Sequence, residues 1–297
     1  MVYDVIIVGG SYAGLSAGLP LARARRKVLV VDAGLRRNRF AATSHGFLTQ
    51  DGSTPEEIAA DGRAQLMDYP TVDWLSGEVA ELAASGEGFA GKLKDGTAIA
   101  GQRVILASGV RDELPALPGL AERWGKQVFH CPYCHGYELN QGQIGVLATS
   151  ALSLHHALML PDWGPTTFFL NGVFEPNDAQ RAQLAARGVK IETGLVERLA
   201  GDAELEMAMA DGRHIPLAGL FALSRTEQTS PLAAQLGCAL EDGPMGRFIR
   251  TDEMRGTTVP GVWACGDAAR QAGSVPLAVA DGNMAGVAAH RSLMFGF

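Results

Sequence analysis

Residues 3–32 read YDVIIVGGSYAGLSAGLPLARARRKVLVVD. Tyr3 to Val8 is a short apolar run that predicts a buried strand. The following GGSYAGLSAGLPLARARR has helical spacing, and Lys27 to Val31 is a second apolar run ending at Asp32. This is the β-α-β opening of a mononucleotide-binding half-fold. A dinucleotide site needs a strand, a glycine turn that admits pyrophosphate to the backbone, a helix N-terminus with partial positive charge, and an acid for the ribose. Gly9 and Gly14 match the first and third glycines of G-x-G-x-x-G, Ser11 stands at the middle position, and Asp32 follows 18 residues after Gly14. The same glycines would also serve a plain packing turn.

Outward from this stretch the pattern repeats. GQRVILASG (101–109) reads as a buried strand closing on a glycine turn at Gly109, and the proline-rich DELPALPG (112–119) as a crossover. A second β-α-β begins at Gln143 to Leu147, continues through the helical SALSLHHALML, and returns with Thr166 to Leu170. TTVPGVWACGD (257–267) then predicts a strand and loop before a final helix over VPLAVADGNMAGVAAHRSL. The expected fold is α/β, with two Rossmann-like doubly wound domains, the second inserted into the first.

Composition supports a globular chain whose partner is a small molecule or another protein rather than nucleic acid. Glycine is in excess, 37 of 297 residues, while proline at 14 is ordinary, which suits tight strand-to-helix turns and excludes collagen. The net charge of −7 gives no general attraction to nucleic acid or an anionic membrane. With no long apolar run and no basic-then-apolar leader at MVYDVIIVGG, a cytoplasmic chain without membrane association is expected.

Four cysteines are too few for a disulfide-stapled scaffold, and two of them stand in HCPYCHGYE (130–138). Thiols at i and i+3 at a helix start can close a short disulfide, and the helix terminus lowers a thiol pKa. Zinc would use the same Cys131 and Cys134 but needs two more ligands, for which His130 and His135 are the candidates. Cys238 and Cys265 are expected to be buried small residues. His155 and His156, pointing about 100° apart on a helix, are expected at a surface or interface.

The motifs GGSYAG, ILASG, C-x-x-C-H-G and VPGVWACGD, in this order over essentially the full length, resemble the low-molecular-weight thioredoxin reductase family. The resemblance implies FAD as cofactor, an FAD domain at 1–114 and 245–297, and an inserted domain at 115–244 carrying the redox pair. It implies that Cys134 faces the flavin and that Cys131 exchanges with substrate. His135 stands where typical members carry an acid, and an imidazole moves protons near neutrality. Asp267 would hold the ribityl hydroxyls, and the backbone of Val275, Pro276, Leu277 and Ala278 would open the last helix toward the isoalloxazine. Thr43, Ser44 and His45 would run along the flavin. A homodimer, and a thioredoxin-like protein or small-molecule dithiol or disulfide as partner, are implied in the same way.

Where the match fails is informative. The second turn, Leu147-Ala148-Thr149-Ser150-Ala151-Leu152-Ser153, has no glycine, and Glu175 and Asp178 stand where an NADPH-using member carries a basic cluster. A lost or weakened NADPH site is expected. C-x-x-C-H-G with such a site is similar to the branch of the gliotoxin and holomycin dithiol oxidases, in which electrons leave to oxygen. Reduction of a disulfide by another electron donor, an NADPH-driven thioredoxin reductase, and a flavin or zinc redox sensor without turnover remain the alternatives.

Overall fold

The computed structural model describes residues 2–202 and 204–296; Met1 and Phe297, the outer limits of the expected first domain, and Ala203 lie outside the described residues. The chain opens with β1 (Tyr3–Val8), α1 (Tyr12–Arg23) and β2 (Val28–Asp32), then α2 (Pro55–Met67) and β3 (Val72–Ser76). β4 (Val79–Ser85), β5 (Gly88–Leu93) and β6 (Ala98–Leu106) form an antiparallel meander, and β7 (Val110–Glu113) leads out of it. The inserted part holds β8 (Val128–Phe129), α3 (Pro132–His135), β9 (Ile144–Leu147), α4 (Ser153–Met159), β10 (Thr166–Phe169), α5 (Asp178–Ala186) and β11 (Lys190–Glu192). β12 (Val196–Ala200), β13 (Leu205–Met209) and β14 (His214–Leu217) make a small antiparallel sheet before β15 (Gly219–Ala222). β16 (Arg225–Gln228), α6 (Leu232–Gln235), β17 (Leu240–Gly243), β18 (Gly246–Ile249), β19 (Val262–Ala264) and α7 (Val275–Phe295) complete the fold.

The first sheet has the order β3-β2-β1-β6-β5-β4, with β19 parallel to the second half of β6. Its central strands are parallel, and Val5–Val8, Val28–Val31 and Val104–Leu106 are continuous buried apolar runs because both faces are covered. Val5 and Ile7 face α1 and α7, while Ile6 and Val8 face a second core with Val79, Leu82 and Phe89 of the meander. Each such side chain, wholly removed from water, contributes about 1.5–3 kcal/mol before the entropy cost of ordering it. The inserted part has a parallel sheet, β11-β10-β9-β15-β8. The α/β doubly wound architecture with a repeated unit is therefore present.

The second boundary differs from the expected residue 245. Leu232, Ala233 and Cys238 pack in the same core as Ile6 and Val104, so the chain rejoins the first body about a dozen residues earlier. The short α6 has no periodicity long enough to announce this in sequence. β7 and β16 pair antiparallel as the two strands that connect the bodies, and they share a four-stranded sheet with β17 and β18. Among the described residues no helix is long and apolar enough to cross a membrane.

Candidate active site

The turn between β1 and α1 is built around two glycines. Gly9 has φ +104°, and a Cβ on it would lie 2.2 Å from the carbonyl oxygen of Ala107; a Cβ on Gly14 would lie 1.8 Å from the carbonyl oxygen of Gly9. The first glycine thus lets β1 turn beside the end of β6, and the second lets α1 press onto the turn. Ser11 is the N-cap of α1, yet its hydroxyl makes no capping bond and lines a cleft. Asp32, at the end of β2, accepts the N–H of Gly10 on Oδ1 at 3.0 Å, which braces the turn; it is not among the residues that line the cleft. Gly10, passed over in sequence, lies under the Trp74 indole, where a Cβ would meet the ring at 2.3 Å.

The cleft has a volume of about 180 Å³ and is lined by the β1–α1 turn, the start of α7 and the redox segment. Thr43, Ser44, His45, Gly109, Asp267, Val275 and Ala278 all line it, as do Cys134 and His135 of the inserted domain. Pro276 and Leu277 do not. Of the four backbone positions expected to face the cofactor, Pro276 has no N–H, Leu277 donates to Ser274 Oγ at 3.4 Å, and Ala278 donates to the Ser274 carbonyl at 2.9 Å. Only the Val275 amide at the α7 terminus is left for a ligand. The cap residue Ser274, invisible as a site signal, has taken the others.

Two arginines missed in the sequence reading dominate the cleft's charge. Arg37 Nε and Nη2 donate to Asp112 at 2.9 and 2.6 Å, and its Nη1 donates to Asp267 Oδ2 at 2.8 Å. The paired carboxylates hold the guanidinium's pKa above its ordinary value against desolvation. Arg36 also lines the cleft, and its Nε is buried without a hydrogen-bond partner. An orphaned guanidinium nitrogen beside an open helix N-terminus is a site for an anionic oxygen. The residues therefore fit a long diphosphate cofactor: Ser11, the start of α1 and Arg36 toward the pyrophosphate, Asp267 and the start of α7 toward the far end.

Cys131 and Cys134 are joined in a disulfide, with Cys131 as N-cap of α3 and Pro132 at its first position. Cys134 lines the cleft and Cys131 does not. The His135 ring stacks on Phe129 at 4.4 Å, and burial pushes its pKa down, against the pull of Glu138. His130 lines the same cleft and stacks beside Trp124 at 5.9 Å. Desolvation and the Arg37 charge push its imidazole down to about 4, with Asp112 opposing. Both rings are thus neutral bases near pH 7. His45 contacts Glu138 Oε1 at 3.3 Å, tying the Thr43–His45 loop to the redox segment. Among the described residues no group of three or more His, Cys, Asp or Glu is placed to hold a metal, and the disulfide leaves no thiolate to ligate one.

Cys238 and Cys265 are buried free thiols; burial raises both pKa values, and that of Cys265 rises out of the reactive range. His155 is exposed, but His156 is a correction to the expected surface placement. It is 6 % exposed, edge-on to Phe221, with Nδ1 unpartnered and its pKa pushed by burial down to about 4. A single helix turn placed one of two adjacent histidines inward.

The second nucleotide-type turn is closed by its own side chains. The Thr149 amide donates to Ser153 Oγ at 3.0 Å and the Leu152 amide to Ser150 Oγ at 3.2 Å, while the Ser153 amide donates to the Ser150 carbonyl. Glu175 is paired with Arg181, and Asp178 occupies the first turn of α5.

A cleft with a fingerprint turn at one end and a redox disulfide at the other defines a disulfide oxidoreductase of two-dinucleotide-domain type. The chain belongs to the pyridine nucleotide-disulphide oxidoreductase family, whose sequence profile matches residues 3–282. It is 31% identical over 310 residues to thioredoxin reductase tcpT of Claviceps purpurea (strain 20.1), covering 99% of this chain and 95% of that one. An oxidoreductase from Agrobacterium tumefaciens of known crystal structure is 57% identical, with a TM-score of 0.97 over all of both chains. The crystal structure of HlmI is 38% identical, with a TM-score of 0.92 over 99% of this chain and 93% of that one. The protein is a thioredoxin reductase-like enzyme, and its cofactor is FAD.

Proposed function

We propose that this enzyme exchanges electrons between a dithiol or disulfide substrate and FAD through Cys131 and Cys134 without a nicotinamide, and that it runs as a dithiol oxidase. The observation that carries this reading is the second turn, where Ser150 and Ser153 consume the amides that would cradle a nucleotide pyrophosphate. The acidic Glu175 and Asp178 repel a 2′-phosphate in the same region.

In this reading a substrate thiolate attacks Sγ of Cys131, which lies outside the cleft. The Cys131–Cys134 bond breaks, and Cys134 leaves as a thiolate inside the cleft. The second substrate thiol, once deprotonated, attacks its partner sulfur; the substrate disulfide forms and Cys131 is released. The imidazole of His135 accepts the two protons in turn and passes them to solvent. Ser11, Arg36, Asp267 and the start of α7 would hold FAD, which when bound would supply the two-electron acceptor chemistry that restores the protein disulfide, with dioxygen reduced to hydrogen peroxide as the final acceptor. Substrates in keeping with this role are small-molecule dithiols or a thioredoxin-like protein.

The test is the visible spectrum of the anaerobic holoprotein titrated separately with NADPH, NADH and dithiothreitol. The dithiol is expected to bleach the flavin band and both nicotinamides to leave it, with peroxide formed on admitting air. Prompt bleaching by NADPH overturns the reading. In Cys134→Ser, FAD stays bound and dithiol bleaching stops; unimpaired bleaching there removes Cys134 from its role.

A further inference from the structure

Asp112 is one carboxylate at which three parts of the molecule meet. It lies on β7, the strand by which the chain leaves the first body, opposite Thr226 of β16, the strand by which it returns. Toward the cleft it holds Arg37 with both oxygens, and Arg37 in turn holds Asp267. Toward the inserted domain Oδ1 accepts the hydroxyl of Ser224 at 2.7 Å; Ser224 is 2 % exposed and does not line the flavin cleft. The Asp112 side chain is itself only 8% exposed, so none of these bonds is exchanged cheaply for water. Its charge also bears on His130, next to the redox disulfide.

We propose that Asp112 is a positioning residue that couples occupancy of the flavin cleft to the pairing of the two strands joining the domains. Arg37 is a rigid planar fork, and two of its faces are fixed by Asp112 and Asp267. A cofactor that engages Asp267 therefore fixes Arg37, Arg37 fixes Asp112, and Asp112 fixes β7 and Ser224. Coupling of this kind is reciprocal: what the cleft does to the strands, the strands do to the cleft. The sequence holds no sign of it, since the bonded residues stand 75, 112 and 230 positions apart.

The experiment perturbs the joint from the side remote from the cofactor. Ser224→Ala, Asp112→Asn and the double variant are compared with the unmodified holoprotein. FAD dissociation is followed by the fluorescence of released flavin, and amide exchange is measured at Val110–Glu113 and Arg225–Gln228. Ser224→Ala is expected to weaken FAD binding by about fivefold, the lower end of ordinary coupling between sites, and to speed exchange at the two strands while Val5–Val8 keep theirs. In the Asp112→Asn background the serine substitution is expected to add nothing. Should Asp112→Asn not fold, Arg37→Lys closes the cycle in its place.

Unchanged FAD dissociation in Ser224→Ala overturns the proposal. So does exchange that rises equally at Val5–Val8, which marks general destabilisation, and so does an additive double variant. No thiol or oxygen enters these measurements, so a failure of the dithiol oxidase reading leaves their outcome standing.

Discussion

The turns at Val8–Gly14 and Leu147–Ser153 begin the same supersecondary unit, and they have been put to opposite uses. In the first, glycines at 9 and 14 bring strand and helix so close that no side chain fits, and Ser11 leaves its hydroxyl and the helix terminus open to a ligand. In the second, Ser150 and Ser153 turn their hydroxyls onto the amides of the turn itself. The fold tolerates both because the strand behind each turn is buried in the same way: Val5–Ile7 and Ile144–Val146 are without exposure. The scaffold persists when the turn's amides are taken by its own side chains, and under the proposed function it is the turn's side chains that decide which of the two is a site. Gly9→Ala should break the first turn most severely. A non-glycine residue at φ +104° costs ~1–2 kcal/mol, and the contact with Ala107 adds ~1–3 kcal/mol, so FAD content and the denaturation midpoint should both fall sharply. Full FAD occupancy in that variant would show that the turn is not the cradle.

Behind the second turn α4 buries His156, and the first turn's helix buries no titratable base. With its pKa near 4 when folded and about 6.5 when unfolded, the unfolded chain binds the extra proton between those values. Stability is therefore full above pH 6.5 and is lost as pH falls toward 4, by about 3 kcal/mol from this group. His156→Phe should make the fall in melting temperature across that window shallower, the remainder coming from His130, whose imidazole is held down to about 4 as well. An undiminished acid slope in the variant would assign it to other groups.

These comparisons also separate what could be read from residues alone from what could not. Gly9, Gly14 and the Cys131–Cys134 pair were legible because each answers a local requirement of backbone or bond geometry. The missing glycines at 147–153 were legible for the same reason. Arg37 and Asp112 were not: their meaning lies in bonds to each other and to Asp267, made only after β6, β7 and the strand before α7 assemble. Asp32 is expected at the ribose from its spacing, and spacing does not reveal that its Oδ1 also accepts the Gly10 N–H. The same holds for Leu277 and Ala278, whose amides Ser274 claimed, and for the early return at Leu232.

Arg36 sharpens the contrast from the charge side. Its Nε is unpartnered and the residue lines the first cleft, whereas Arg247, in a groove that the second turn lines with Leu147–Leu152, is already paired with Asp242. A hydrogen bond to a charged group contributes ~1.5–3 kcal/mol, so Arg36→Ala should weaken FAD binding by about tenfold or more. Arg247→Ala should leave it unchanged. Equal effects of the two substitutions on FAD dissociation would erase the distinction between the sites.

The smallest effect is expected where the second turn is opened by hand. Ser153→Ala removes the oxygen that caps the Thr149 amide, at a cost of about 1 kcal/mol in stability, since the freed N–H is only partly shielded and finds water. One free amide still lacks the close backbone approach that a glycine permits, and Glu175 and Asp178 stay in place. NADPH should therefore remain unable to bleach the flavin in Ser153→Ala, and in Ser153→Ala with Thr149→Gly, when followed anaerobically at millimolar nucleotide. If Ser153→Ala by itself gains prompt bleaching, the Ser153 cap alone kept the nucleotide out. The acidic replacements would then be incidental, and the two turns would differ by a single hydrogen bond rather than by the whole set of changes along the segment.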